Sequence, residues 1–77
     1  MNYCITESMI KAREKSGLSR KELSEASGLH IGLIYMYESG RSTPGLYNLI
    51  AMADALGVSI DEYIGRGAEI RKARNGK

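Results

Sequence analysis

The chain of 77 residues predicts an all-α fold, a compact bundle of five helices. Two observations carry that expectation. Helix start and stop signals recur along the sequence, and no segment alternates apolar and polar residues with the period of a strand. A chain this short makes one domain, near the size at which a single core just suffices. With no Phe or Trp, that core has to come from Leu, Ile, Met, Ala and Tyr.

The elements follow in order. Thr6 suits the cap of a first helix running to about Ser16, with Glu7 favourable to its dipole, Gly17 as its stop, and Ile5, Met9 and Ala12 at core spacing. Ser19 followed by Glu22 is a capping box, and Leu18 with Leu23 forms a hydrophobic staple, so a second helix starts at Arg20. Gly28 stops it, because only glycine takes the left-handed conformation cheaply. A third helix runs from about Ile31 to Glu38 and ends at Gly40. Thr43 and Pro44 read as a cap with a first-turn proline for a fourth, whose stripe of Leu46, Leu49, Met52, Ala53 and Leu56 reaches Gly57. Ser59 with Glu62 is a second capping box, and Val58 with Tyr63 a second staple, so a short last helix starts near Ile60. Residues 1–65 form the domain and residues 66–77 a basic tail.

The segment from Leu18 to Gly40 resembles the Cro/repressor-type (XRE-like) helix-turn-helix family of small bacterial and phage regulators. The match rests on Ser24 four before Gly28, on Leu29, Ile34 and Tyr37 after it, on the closing Glu38-Ser39-Gly40, and on the continuation through Pro44 and LIAMADALGVSIDEYI. It covers roughly residues 5 to 65. The resemblance implies a sequence-specific regulator, a repressor, that lays the helix at about 31–38 in the major groove of double-stranded DNA. Carried over position by position, the base-reading places are Ile31, Gly32 and Met36, with Leu33 and Tyr35 beside them and His30 at the cap. Arg20 stands where the family usually has a glutamine that contacts DNA. Ser19, Arg20, Lys21, Ser39, Arg41, Ser42 and Thr43 flank the expected path of the phosphate backbone. Arg13 and Glu38 are the positions the family joins as an ion pair.

At the reading positions the sequence departs from the family pattern. Gln, Asn, Arg, Ser or Thr are usual there, whereas Ile31 and Met36 offer only apolar contact, such as with a thymine methyl. Three readings of this face stand side by side: a reader that uses methyl contacts and DNA shape, an apolar patch for a protein partner as in an antitoxin-like module, or Leu33 and Met36 folded back onto the domain. One small domain covers few base pairs, so a homodimer on a two-fold axis is expected. Ile60, Tyr63 and Ile64 are candidates for its surface, although Tyr63 equally suits closing the core.

Charge adds less. The chain carries +2, but Arg66, Arg71, Lys72, Arg74 and Lys77 against Glu69 put +4 on the tail, leaving residues 1–65 at −2. Any support for a polyanion partner is therefore local, from Lys11, Arg13, Lys15, Arg20, Lys21 and Arg41. A lone cysteine, Cys4, excludes a disulfide within the chain and suits a reducing cytoplasm, and neither a membrane-length apolar run nor a signal-peptide pattern is present. One histidine and one cysteine in different elements give no nucleophile–base pair and no metal-ligand spacing, so neither enzyme chemistry nor a metal or cofactor is expected.

Overall fold

A computed structural model of the protein describes residues 5–65; Cys4 and the basic tail, residues 66–77, lie outside that range. The helices are α1 (Ile5–Lys15), α2 (Arg20–Ser27), α3 (Ile31–Glu38), α4 (Leu46–Leu56) and α5 (Ile60–Ile64), and no strand occurs among the described residues. None of these helices is long and apolar enough to cross a membrane. The expected all-α architecture is the one observed.

Both capping boxes form. Ser19 accepts from the Glu22 amide at 3.0 Å while the Glu22 carboxylate accepts from the Ser19 amide at 2.8 Å. At α5 the Ser59 hydroxyl accepts from the Glu62 amide at 3.1 Å. Such caps matter here because α2 and α3 are eight residues each, too short to persist alone. The remaining support is tertiary: α1 packs against α5 and α3, α2 against α3 and α4, and α4 against α5.

Every helix contributes to the core, which consists of Met9, Leu23, Ile34, Tyr37, Met52, Ala53 and Tyr63. Leu29, Leu49 and Leu56 pack against it half-buried. With no larger aromatics present, two tyrosines do the space filling, and each finds a partner for its hydroxyl. Tyr37 accepts from Asn48 Nδ2 at 2.7 Å, tying α3 to α4, and Tyr63 donates to the Met52 sulfur at 3.4 Å.

Three local expectations need correction. Thr6 lies inside the first turn of α1 rather than capping it, because Ile5 joins the helix and packs on the core. Thr43 and Pro44 do not start α4. Pro44 is buried ahead of the helix, and Gly45 is the cap at φ −75° and ψ 176°, with no side-chain hydrogen bond. The Gly45 carbonyl accepts the Leu49 amide at 3.0 Å, so the first turn closes on Gly45 rather than on Thr43. Leu46, expected in the apolar stripe, is 65% exposed. As the first residue of α4 it leans toward the N-terminal end, beyond the packed turns.

Burial of Tyr63 yields a pH prediction. Loss of solvation, with the negative charge of Glu38 adding to it, pushes this phenol up from 10.0 to about 12. A raised acid contributes stability that is present below pH 10 and lost as pH rises toward 12, here on the order of 2 kcal/mol. Urea denaturation of the native chain should therefore show a loss of stability between those pH values that Tyr63→Phe largely removes. A variant with the same alkaline loss would assign it to other groups.

Candidate nucleic-acid interface

The turn between α2 and α3 is held by groups from both sides. Gly28 sits at φ 79° and its amide donates to the Ser24 carbonyl at 2.9 Å. The Ser24 hydroxyl donates to the carbonyl of Leu29, so a small polar side chain at position 24 pins the far side of the turn. At the next helix start, His30 Nδ1 accepts from the Gly32 amide at 2.9 Å. Accepting at Nδ1 leaves the proton of a neutral imidazole on Nε2. A Cβ at position 32 would lie 3.0 Å from His30 Nδ1 and 3.3 Å from its Cε1, so Gly32 gives the ring room to cap.

At the other end of α3, the carboxylate of Glu38 is almost fully enclosed. Arg13 from α1 donates through Nε to Glu38 Oε2 at 2.7 Å and through Nη2 to Oε1 at 3.2 Å, the paired geometry of a guanidinium on a carboxylate. The third nitrogen, Nη1, donates to the Leu18 carbonyl at 2.9 Å. The expected Arg13–Glu38 pair is thus present, and hydrogen bonding to Glu38 raises the Arg13 pKa above its ordinary value against the opposing cost of burial. Arg20, from the start of α2, also donates through Nε to Glu38 Oε1, at 2.8 Å. Side-chain exposure is 3% for Glu38, 8% for Arg13 and 38% for Arg20, so only Arg20 reaches solvent.

Around α3, Ile34, Tyr37 and Glu38 face inward, while Tyr35 and Met36 are exposed. Ile31 and Gly32 are half-buried and His30 is exposed. Leu33, named with the reading face, is half-buried and packs on the core, whereas Met36 does not fold back. The Arg20 guanidinium lies 4.9 Å from the centre of the Tyr35 ring. Tyr35, Met36, Ser39 and Arg41 line one shallow concavity, so Arg20 and Arg41 adjoin the same exposed side of α3. Lys21, Ser19, Arg41 and Thr43 are exposed and Ser42 half-buried. The Ser39 hydroxyl donates to the Met36 carbonyl at 3.1 Å, which also receives the Arg41 amide at 3.0 Å.

Of the residues considered for a dimer surface, Tyr63 is corrected: at 1% exposure it belongs to the core and has no area to offer a second copy. Ile60 and Ile64 are half-buried. Sequence reasoning missed the Arg20–Glu38 bond and the Arg20–Tyr35 stack. No local rule gives either contact, because Arg20 reaches both residues from another helix.

The Helix-turn-helix family model matches residues 9–63. Over 64 residues the chain is 34% identical to the cryptic phage CTXphi transcriptional repressor RstR of Vibrio cholerae, covering 83% of this chain and 57% of that protein. It is 41% identical over 44 residues to Repressor protein C of Escherichia phage P2, covering 57% of this chain and 44% of that one. The chain thus spans about half the length of these curated relatives. No solved structure matches it.

The two arginines should differ sharply in what they contribute to stability. Arg13→Ala breaks the buried pair at Glu38 and leaves that carboxylate enclosed with only its outer partner, and should cost about 3–5 kcal/mol in urea denaturation. Arg20→Ala removes a partly exposed pair and should cost less than about 1 kcal/mol. Losses of equal size would mean that Arg20 supports the fold as much as Arg13 does.

Proposed function

The chain belongs to the helix-turn-helix family, and from that premise we propose that it is a sequence-specific DNA-binding transcriptional repressor that reads the major groove with α3. The observation that carries this reading is the exposed side of α3, where Arg20 and Arg41 flank Tyr35 and Met36. The names of both relatives, each a repressor, support it.

In this reading His30, Ile31, Gly32 and Met36 meet base edges, with Tyr35 beside them and Leu33 at the margin where it also braces the helix. Met36 supplies apolar contact to a thymine methyl, and the outward Nε2–H of His30 supplies a donor. Lys21, Arg41, Ser42 and Thr43 contact phosphates, and Arg20 contacts a phosphate or a base edge. Ser19, engaged in its capping box, fixes the start of α2, where the Arg20 and Lys21 amides add the partial positive charge of a helix start. Ser39 acts through its backbone end of α3, since its hydroxyl is engaged internally. The function is binding rather than catalysis. It is exercised in the cytoplasm by a homodimer, for which Ile60 and Ile64 supply surface and Tyr63 supplies the buried support beneath.

A salt series of binding measurements on a duplex selected from a random pool, and on the pool itself, tests this directly. The selected duplex should bind at least a hundredfold tighter than the pool, and Arg41→Ala should make its salt slope shallower by about one unit. Met36→Ala should cost on the order of 1 kcal/mol on the selected duplex and much less when uracil replaces the contacted thymine. Equal affinity for pool and selected duplex would overturn the reading.

A further inference from the structure

Tyr35 stands beside the reading residues, yet its ring lies against the protein's own Arg20. The guanidinium is held from two directions. Its Nε donates at 2.8 Å to Glu38, and its carbon lies 4.9 Å from the centre of the Tyr35 ring. Glu38 in turn cannot swing away, because Arg13 grips both of its oxygens in a buried site. A guanidinium is planar and has five N–H donors. With Nε–H occupied and the guanidinium carbon set over the Tyr35 ring, the edge carrying Nη1 and Nη2 is left, on a side chain that is 38% exposed. One carboxylate between two arginines leaves a net positive charge at this edge.

We infer that Tyr35 and Glu38 are positioning residues for Arg20, holding its Nη1–Nη2 edge as a preformed fork for a pair of acceptors on duplex DNA. The inference rests on the DNA-binding reading and deepens it. An arginine side chain loses much rotamer freedom when it docks, and here that freedom is restricted before DNA arrives. Two parallel N–H donors fit two phosphate oxygens or the O6 and N7 of a guanine, the shared chemistry being a pair of acceptors in one plane. Tyr35 therefore contributes to DNA affinity through Arg20, and its hydroxyl is dispensable.

The test combines the free protein with the selected duplex. In the DNA-free protein, the Arg20 Nε–H should give a discrete, exchange-protected NMR signal that persists in Tyr35→Phe and averages out in Tyr35→Ala. On the duplex, Tyr35→Ala should weaken binding about three- to fivefold, matching one exposed cation–π contact. Tyr35→Phe should restore affinity, and Tyr35→Ala should have no effect in an Arg20→Ala background. The thermal midpoints of both Tyr35 variants should stay near that of the native chain. Neutral methylphosphonate at single backbone positions and 7-deazaguanine at single bases tell the two acceptors apart: the Arg20-dependent loss should vanish at one such substitution, and either answer supports the fork. Equal Tyr35→Ala losses with and without Arg20, or failure of Tyr35→Phe to restore binding, would overturn the inference while leaving the DNA-binding reading intact. A native chain that binds no duplex would overturn that reading and the fork with it, even if the NMR signal shows the clamp.

Discussion

The carboxylate of Glu38 is shared by arginines from two other helices, and the arrangement of α1, α2 and α3 depends on it. A charge enclosed to this degree is tolerated only when paired, so Arg13 must reach it from α1, and in reaching it Arg13 also satisfies the Leu18 carbonyl just before α2. That one side chain thus joins the end of α3 to the entry of α2. Arg20 then takes the lone-pair capacity that Arg13 leaves on Oε1. The outcome is an asymmetric pair of bonds to a single group: the inner one is sealed from water and structural, while the outer one faces solvent beside the exposed side of α3.

The same economy shows in how the short helices are ended. With eight residues each, α2 and α3 owe their persistence to their caps and to packing. At the turn between them a glycine, a serine hydroxyl and an imidazole each satisfy a backbone group that would otherwise be left open. The imidazole imposes a condition of its own. It lies so close to position 32 that a side chain there would crowd it, which makes His30 and Gly32 a matched pair rather than two independent surface residues. Both have been assigned to the reading face, so the shape of that face near the start of α3 is set by a capping requirement as well as by what it touches.

The parts of the fold that were legible in the sequence are those written locally. Ser19 with Glu22, Ser59 with Glu62 and Gly28 each act within a few residues, and each does in the structure what its spacing implied. Arg13 with Glu38 is a long-range pair that came through resemblance, since no local rule connects two residues on different helices. The rest depended on tertiary placement. A threonine followed by proline looks like a helix start, but Gly45 relocated it. An apolar residue such as Tyr63 fits a core or an interface equally well until its neighbours are known. Arg20 was assigned to DNA contact through the resemblance, by the place it holds at the start of α2. Its bond to Glu38 and its place over Tyr35 required the crossing of α2 and α3 to be in view.

Glu38 serves the fold through Arg13 and the exposed side of α3 through Arg20, and these services are separable. Replacing the inner pair by apolar side chains, Arg13→Met with Glu38→Leu, keeps the net charge of the chain and removes the only carboxylate that Arg20 engages among the described residues. Urea stability of this double variant should lie close to that of the native chain, as apolar replacement of buried ion pairs generally allows. Affinity for the selected duplex should nevertheless fall about tenfold, the scale of one lost hydrogen bond to a charged group. Measured together on the same preparation, retained stability with weakened binding is the predicted result. Retained stability with undiminished binding would contradict the account, because Arg20 would then need no carboxylate to hold it.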